Sequence, residues 1–264
     1  MFGSVAQKLD ALGLRPLIAK AASLAYPGQS FSVDASGHWV NRQAGGTIVS
    51  PIIHTATFEA YRAWVLDNWT WAYTPKSGDI LLDLGTGVGE EAVIFSGLIG
   101  PGRMYAIEAH PPTFACLRET VRRSGLQNVV PIHCAVGSKD GSASLGKGES
   151  NLTHSLLRGG GDVVPLRTVD SIIAEQGIDR IDFFRTNIEG AERLMLGGMV
   201  KAASLIRNLC ISCHDFIADD GGDDSFRSKA AVLEWVRDHR FELIQRPTSR
   251  PPSRDYVYAR KVIS

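Results

Sequence analysis

The sequence predicts an open α/β fold, a mostly parallel sheet with helices on both faces. Three observations predict it. From Asp79 onward, apolar runs of strand length alternate with stretches of helical spacing, and such alternation builds a parallel sheet. The first apolar run, Ile80 to Leu84, enters the turn Gly85-Thr-Gly87-Val-Gly89 and then a helical stretch. The next strand candidate, Arg103 to Glu108, ends in a carboxylate.

The elements follow in order. Gln7 to Ala25 has helical spacing through Leu9, Leu12, Leu17 and Leu24. Phe31 to Val40 reads as a hairpin across Ala35-Ser-Gly-His. Thr57 to Trp69 reads as a helix with Phe58, Tyr61, Trp64 and Val65 on one face. These fall in a segment, 1–77, that stands outside the βα repeat and is expected to form a cap or a contact between copies of a homo-oligomer. The domain proper is placed at 78–264. There, strands are expected at 80–84, 103–108 and 129–134, and helices at 90–98 and 112–124. Gly137 to Gly161, rich in Gly and Ser, is expected to be a loop with a short strand near Ser142 to Leu145. Helices then fall at 169–176, 191–199 and 228–240, and strands at 181–186, 205–212, 241–245 and 255–261.

Composition narrows the function classes. The 264 residues are 44% hydrophobic and 21% charged, ordinary for a globular chain. The 28 basic and 28 acidic side chains cancel, so no global field attracts nucleic acid. No apolar run is long enough for a membrane span, and Lys8, Asp10, Arg15 and Lys20 break any signal-peptide pattern. Four cysteines fit a reducing cytoplasm. Cys210 and Cys213 are expected to pack in the core, since a three-residue step in a strand points them to opposite faces.

The glycine turn narrows the ligand. Glycines let the backbone turn tightly and let a ligand approach the free N–H groups of the following helix. The dinucleotide fingerprint is G-x-G-x-x-G, but its sixth position is Glu90 here, electrostatically wrong for a pyrophosphate. The run G-x-G-x-G preceded by Asp83 resembles motif I of class I S-adenosylmethionine (SAM) methyltransferases. Glu108, about 20 residues on, suits two ribose hydroxyls, because a carboxylate accepts two hydrogen bonds at once.

With these pieces placed, the chain resembles the FkbM family of SAM-dependent methyltransferases over roughly Gly78 to Lys261. The residues are Leu82-Asp-Leu-Gly-Thr-Gly-Val-Gly-Glu90, Tyr105-Ala-Ile-Glu-Ala-His-Pro111, Pro131-Ile-His-Cys-Ala-Val-Gly137 and Ile181-Asp-Phe-Phe-Arg-Thr-Asn-Ile-Glu-Gly-Ala-Glu192. Cys213-His-Asp-Phe216 and Asp255-Tyr-Val-Tyr-Ala259 also fit. The resemblance implies a seven-stranded class I methyltransferase sheet with an antiparallel last strand. It implies O-methylation of a sugar, small molecule or natural-product hydroxyl. Gly85, Thr86, Gly87 and Gly89, with Asp83 before them, would cradle the methionine part of SAM. Glu108 would hold the ribose, Ala135 and Val136 would lie by the adenine, and Asn187 would face the methionine end and the reaction centre. Members usually carry Asp at position 187 and Lys at 185, where this chain has Asn187 and Arg185.

An alcohol nucleophile must lose a proton, so a base or a metal is expected. Asn187 and Glu189 follow one strand, and His214 and Asp215 its neighbour. His214 is the first choice of base, because a free imidazole titrates near ~6.5. Glu189 is the second, in competition with helix capping. Glu189, Asp215 and the Asn187 carbonyl could together hold Mg²⁺, which favours oxygen ligands. Trp69, Trp71 and Tyr73 either shape an aromatic or sugar site or pack the cap on the core. Three readings compete: a nicotinamide-dependent oxidoreductase, which Glu90 disfavours; a nucleic-acid or protein methyltransferase, against which Asn187-Ile-Glu-Gly counts because it lacks the D/N-P-P-aromatic pattern of base amino-methylation; and a SAM-binding protein without catalysis.

Overall fold

The computed structural model describes residues 13–147, 154–155, 161–250 and 253–262. Leu9 and Leu12 of the first expected helix lie outside them, and the helix observed is α1 (Arg15–Ala25). Three antiparallel strands follow: β1 (Gln29–Val33), β2 (Trp39–Gln43) and β3 (Gly46–Ser50). The expected hairpin is the first pair. β3 was not expected, because only the short run Ile48-Val49 marks it. Gly45, at φ +99°, makes the tight turn that pairs Gln43 with Gly46. Helix α2 (Phe58–Asn68) starts where Thr57 Oγ1 accepts the Ala60 N–H at 3.1 Å.

The βα repeat then runs as expected through β4 (Ile80–Leu84), α3 (Glu90–Ile99), β5 (Arg103–Glu108), α4 (Pro111–Arg123) and β6 (Val129–His133). The expected loop differs. It holds β8 (Gly141–Lys147), which covers the short strand expected near Ser142 to Leu145, and β9 (His154–Ser155); with the flanking β7 (Ala135–Val136) and β10 (Asp162–Arg167) these form a second sheet in the order β7-β10-β8-β9. Pro165 argues against a strand in the sequence, yet it pairs with Ser142 in the ladder. Next come α5 (Val169–Gln176), β11 (Ile181–Thr186), α6 (Glu192–Leu196), α7 (Ala202–Leu205) and β12 (Ile206–Ser212). The chain closes with α8 (Asp215–Asp219), α9 (Lys229–Asp238), β13 (Phe241–Ile244) and β14 (Tyr256–Lys261). Helix α6 is shorter than the expected 191–199, because the turns through Gly197 and Gly198 interrupt it.

The main sheet has seven strands in the order β13-β14-β12-β11-β4-β5-β6. β14 runs antiparallel to both its neighbours, and β4, β5, β6, β11 and β12 are parallel. Both faces are buried, as a parallel sheet requires. Leu82, Leu84, Ile107 and Phe184 join one core cluster, and Leu81, Met104, Ala106 and Phe183 join the other. Strand order reverses at β4, which has β5 on one side and β11 on the other. Open α/β sheets bind ligands at that switch point, outside the strands' carboxyl ends.

The N-terminal elements pack against the same body. Val40, Ile48 and Val49 form a core cluster with Val88, Val93 and Cys116. The Val49 N–H donates to Thr120 Oγ1 at 3.0 Å and the Thr47 N–H to Ser124 Oγ at 2.9 Å, tying β3 to α4. All four cysteines are buried and free. Among the described residues, no helix is long and apolar enough to cross a membrane.

Candidate active site

A cavity of about 380 Å³ opens at the switch point. One wall is the turn after β4. Gly85, Gly87 and Gly89 all have positive φ, but they do different work. A Cβ on Gly85 would sit 2.0 Å from the Asn187 carbonyl oxygen, so that glycine lets the ends of β4 and β11 meet. A Cβ on Gly87 would meet nothing within 4 Å, and Gly87 lines the cavity. Gly89 does not line it. A Cβ there would collide with Leu117 and Thr120, so Gly89 serves helix packing rather than ligand contact.

Glu108 borders the cavity at the end of β5. Its Oε2 accepts the Gly87 N–H at 3.0 Å and its Oε1 the His110 N–H at 2.8 Å. A carboxylate has acceptor capacity beyond these bonds, which leaves room for a ligand hydroxyl. Burial pushes this carboxyl up to about 7, against the pull of the backbone N–H groups. Thr86, Ala135, Val136, Asn187 and Glu189 also line the cavity, as do Cys134 and His110, which the sequence did not single out.

Besides Gly89, three expected site residues lie elsewhere. Asp83 is buried behind the turn, where Oδ1 pairs with Arg185 Nη1 at 2.8 Å and Oδ2 accepts the Thr86 hydroxyl at 2.8 Å. It shapes the turn without lining the cavity. Asp215 spends Oδ2 on the Ser228 and Lys229 N–H groups at 2.9 and 3.0 Å, holding the start of α9. The trio Glu189, Asp215 and Asn187 is therefore not assembled, and among the described residues no three His, Cys, Asp or Glu side chains converge as metal ligands.

His214 is the third. Its ring is 3% exposed and lies behind the cavity wall. Nε2 is 3.8 Å from Glu189 Oε2, and Nδ1 is 2.9 Å from Glu192 Oε1. Glu192 is fully buried and also accepts the Ser228 hydroxyl at 2.9 Å. Burial opposes a charge on His214, but Glu192, Glu189 and Asp215 outweigh it and raise its pKa. The result is a line, Glu192–His214–Glu189, of two buried groups and a half-buried one, in which Glu189 alone reaches the cavity. Glu189 holds φ +53°, rare for a residue with a side chain. The Glu189-x-x-Glu192 spacing was the available signal, and it reads equally well as a helix cap.

Arg185 is 2% exposed and lines the cavity. Nη1 bonds Asp83, Nη2 bonds Glu91 Oε1 at 3.1 Å, and the guanidinium lies 4.0 Å over the Trp69 ring. Trp69 stacks on Tyr256, and Trp71 packs on Tyr258. Trp69, Trp71 and Tyr73 do not line the cavity and serve packing.

The opposite wall comes from the N-terminal segment: Asn41, Gln43, His54, Thr57, Phe58 and Tyr61. Asn41 and Gln43 alternate on one face of β2, and Tyr61 Oη donates to Glu91 Oε1 at 2.7 Å. His54 Nδ1 lies 3.2 Å from Glu90 Oε1. Asn41 Oδ1 and His54 Nε2 are buried with no partner. The sequence placed Phe58 and Tyr61 on one helix face but did not place this wall at the site.

The residues present fit SAM. The open cradle at Gly87, the hydroxyl-accepting Glu108 and the small apolar surface of Cys134, Ala135 and Val136 match an amino-acid arm, a ribose and a purine. The acids along the wall suit a sulfonium and oppose a pyrophosphate.

Comparison with known proteins agrees. The profile of the Methyltransferase FkbM domain matches residues 83–243. The chain is 30% identical over 132 residues to protein-L-isoaspartate O-methyltransferase of Aeropyrum pernix, covering 46% of this chain and 50% of that protein. It is 25% identical over 141 residues to hexuronic acid methyltransferase AglP of Haloferax volcanii, covering 53% and 57%. The chain thus spans about half the length of the curated relatives it matches. Among solved structures, Aeropyrum pernix fibrillarin with bound SAM gives a TM-score of 0.46 at 17% identity, covering 87% of this chain and 97% of that one. The METTL16 methyltransferase domain gives 0.49 at 12% identity, covering 95% and 80%. The chain belongs to the FkbM family of SAM-dependent methyltransferases.

Proposed function

We propose that this FkbM-family chain transfers a methyl group from SAM to a hydroxyl of a small molecule or sugar. The observation that carries the reading is Glu108: a carboxylate with spare lone pairs on the cavity wall, held by the backbone of the glycine turn it faces.

The residue roles follow from position. Gly85, Thr86 and Gly87 hold the methionine end, Glu108 the ribose, and Ala135 and Val136 the adenine. Asn187 borders both the turn and the open part of the cavity, and orients the acceptor by hydrogen bonding without adding charge. The chemistry that bound SAM supplies is an electrophilic methyl group on a good leaving group, so positioning contributes much of the catalysis. Glu189 is the group within reach of an acceptor hydroxyl and takes its proton. His214 stands behind it and Glu192 behind His214, so these two position Glu189 and steady its charge. His214 thereby moves from first-choice base to a positioning residue. The polar wall of Asn41, Gln43 and Thr57 meets the acceptor, which suits a polyhydroxyl compound. The match to a hexuronic acid methyltransferase supports a sugar-like acceptor.

The test is transfer of labelled methyl from SAM to a panel of glycosides and hydroxylated small molecules. Label in an ether product supports the reading. SAM binding without transfer to any member of a broad panel would favour a SAM-binding protein without catalysis.

A further inference from the structure

The wall of residues 41–61 divides into groups that hold it together and groups that it leaves open. Gln43 is engaged in the wall itself: its Oε1 accepts the Phe58 N–H at 2.8 Å, and its Nε2 donates to the Ala56 carbonyl at 3.2 Å. Thr57 Oγ1 caps α2. Asn41 differs. It is 2% exposed and lines the cavity, and its Oδ1 is buried with no partner among the described residues. Such an atom is costly in a folded chain and points to a ligand that completes it. His54, on the same wall, leaves Nε2 buried and unpartnered in the same way.

The chemical sense of each open atom follows from its neighbours. Gln29 Nε2 donates to the Thr55 carbonyl at 2.8 Å, so Gln29 turns Oε1 toward Asn41. Asn41 Nδ2 then donates twice, to Gln29 Oε1 at 2.7 Å and to the His54 carbonyl at 2.8 Å. Reversing the amide would set oxygen against oxygen at both contacts, so the open atom is the acceptor. His54 Nδ1 lies 3.2 Å from Glu90 Oε1. Burial pushes the Glu90 carboxyl up to about 8 and lowers His54. Near neutral pH Glu90 is therefore mostly the neutral acid and donates to Nδ1, which leaves the ring proton on Nε2. An open acceptor thus stands beside an open donor, on two residues joined by the bond from Asn41 to the His54 carbonyl. A hydroxyl meets both needs, since it donates and accepts. An ammonium only donates, and a carboxylate or an ether only accepts.

We propose that Asn41 Oδ1 and His54 Nε2 form a specificity subsite for a second hydroxyl of the acceptor, one that is not methylated, so that the chain selects polyols over simple alcohols. The proposal rests on the reading of this cavity as the site of methyl transfer to a hydroxyl. Glu189 lines the same cavity and takes the proton of the reacting hydroxyl, while the Asn41–His54 pair holds the other. The pair takes no part in the chemical step and determines which acceptors reach it. A subsite built to bond a hydroxyl rejects the analogue that lacks it, because the buried atoms of the subsite are then left unpaired. The glycine turn and Glu108 lie on the opposite wall, so SAM affinity should not depend on the pair.

The experiment measures kcat/KM of the full chain for labelled methyl transfer from SAM to methyl glucoside, methyl galactoside and methyl mannoside, each beside its monodeoxy analogues. In the wild type, loss of one hydroxyl other than the methylated one should lower kcat/KM at least tenfold. Asn41→Leu should bring that ratio within threefold of one, and His54→Phe should lower it at least threefold. Calorimetry should give both variants a SAM affinity within threefold of wild type, which reports that they are folded. Gln29→Leu cuts the same network on the side away from the cavity and leaves Oδ1 in place, so it should keep the wild-type ratio. Equal use of a parent glycoside and all its deoxy analogues by the wild type would overturn the proposal while leaving O-methyl transfer standing. So would a ratio unchanged in Asn41→Leu or in His54→Phe, or one lost equally in Gln29→Leu. SAM binding with transfer to none of the glycosides would overturn the sugar reading of the acceptor and the proposal with it.

Discussion

The two walls of the cavity are made differently. The wall from β4, β5 and β11 is built of backbone: glycines at positive φ, strand ends and the N–H groups that hold Glu108. The wall from residues 41–61 is built of side chains carried on a small antiparallel sheet and the start of α2. Backbone geometry tolerates few substitutions, whereas a side-chain wall can change its lining without moving the fold. The first wall suits a ligand common to a whole family, and the second an acceptor that differs between members. Arg185 and Tyr61 join them, because both reach Glu91.

That contrast can be broken at graded strength. Arg185→Met should have the largest effect. It leaves Asp83 and Glu91 buried without their cation, a loss of about 3–5 kcal/mol, to be read from the urea midpoint. A shift under about 1 kcal/mol would mean that the two walls are not tied through this residue. Gly85→Ala comes next, since its Cβ would stand 2.0 Å from the Asn187 oxygen at φ +77°. Overpacking of this kind costs about 1–3 kcal/mol, and SAM affinity should fall with stability.

Glu108→Ala should weaken SAM binding by about 1–3 kcal/mol through lost hydrogen bonds, and unchanged affinity would remove the ribose assignment. The same residue has a pH signature. Its folded-state pKa, about 7, lies above the ordinary carboxylate value of 4.5. The folded chain therefore binds this proton more tightly than the unfolded chain. The stabilisation is complete below the unfolded value and is lost as pH rises through about 7. In Glu108→Gln, melting temperature should fall less than in wild type between pH 5 and pH 8. The smallest effect belongs to the second wall. Tyr61→Phe removes one hydrogen bond to Glu91 and should cost about 0.5–1.5 kcal/mol while leaving SAM affinity within twofold. A tenfold loss of SAM affinity would mean that the second wall serves the cofactor as well.

The same two walls explain what could be read from the sequence. The β4 turn, Glu108 and the β11 rim carry their signal in local order: an apolar run, spaced glycines, an acid at a strand end. Residues 41–61 reach the site through the β2–β3 turn at Gly45 and the packing of β3 on α4, where the hydrogen bonds join residues more than 70 positions apart. No local pattern encodes that. His214 shows the limit from the other side. Its position after β12 was legible, but not that Glu192 would draw its ring behind the wall. Asp215 was diverted likewise, to N–H groups 13 and 14 residues ahead. The second sheet was hidden by Pro165, which sits in β10 against the usual rule.

The most direct test is a crystal structure of the full chain grown with S-adenosylhomocysteine. The account predicts ribose hydroxyls on the Glu108 carboxylate, adenine beside Ala135 and Val136, and the thioether sulfur turned toward Glu189 and the 41–61 wall. A ligand bound elsewhere, or in this cavity with Glu108 untouched, would contradict it.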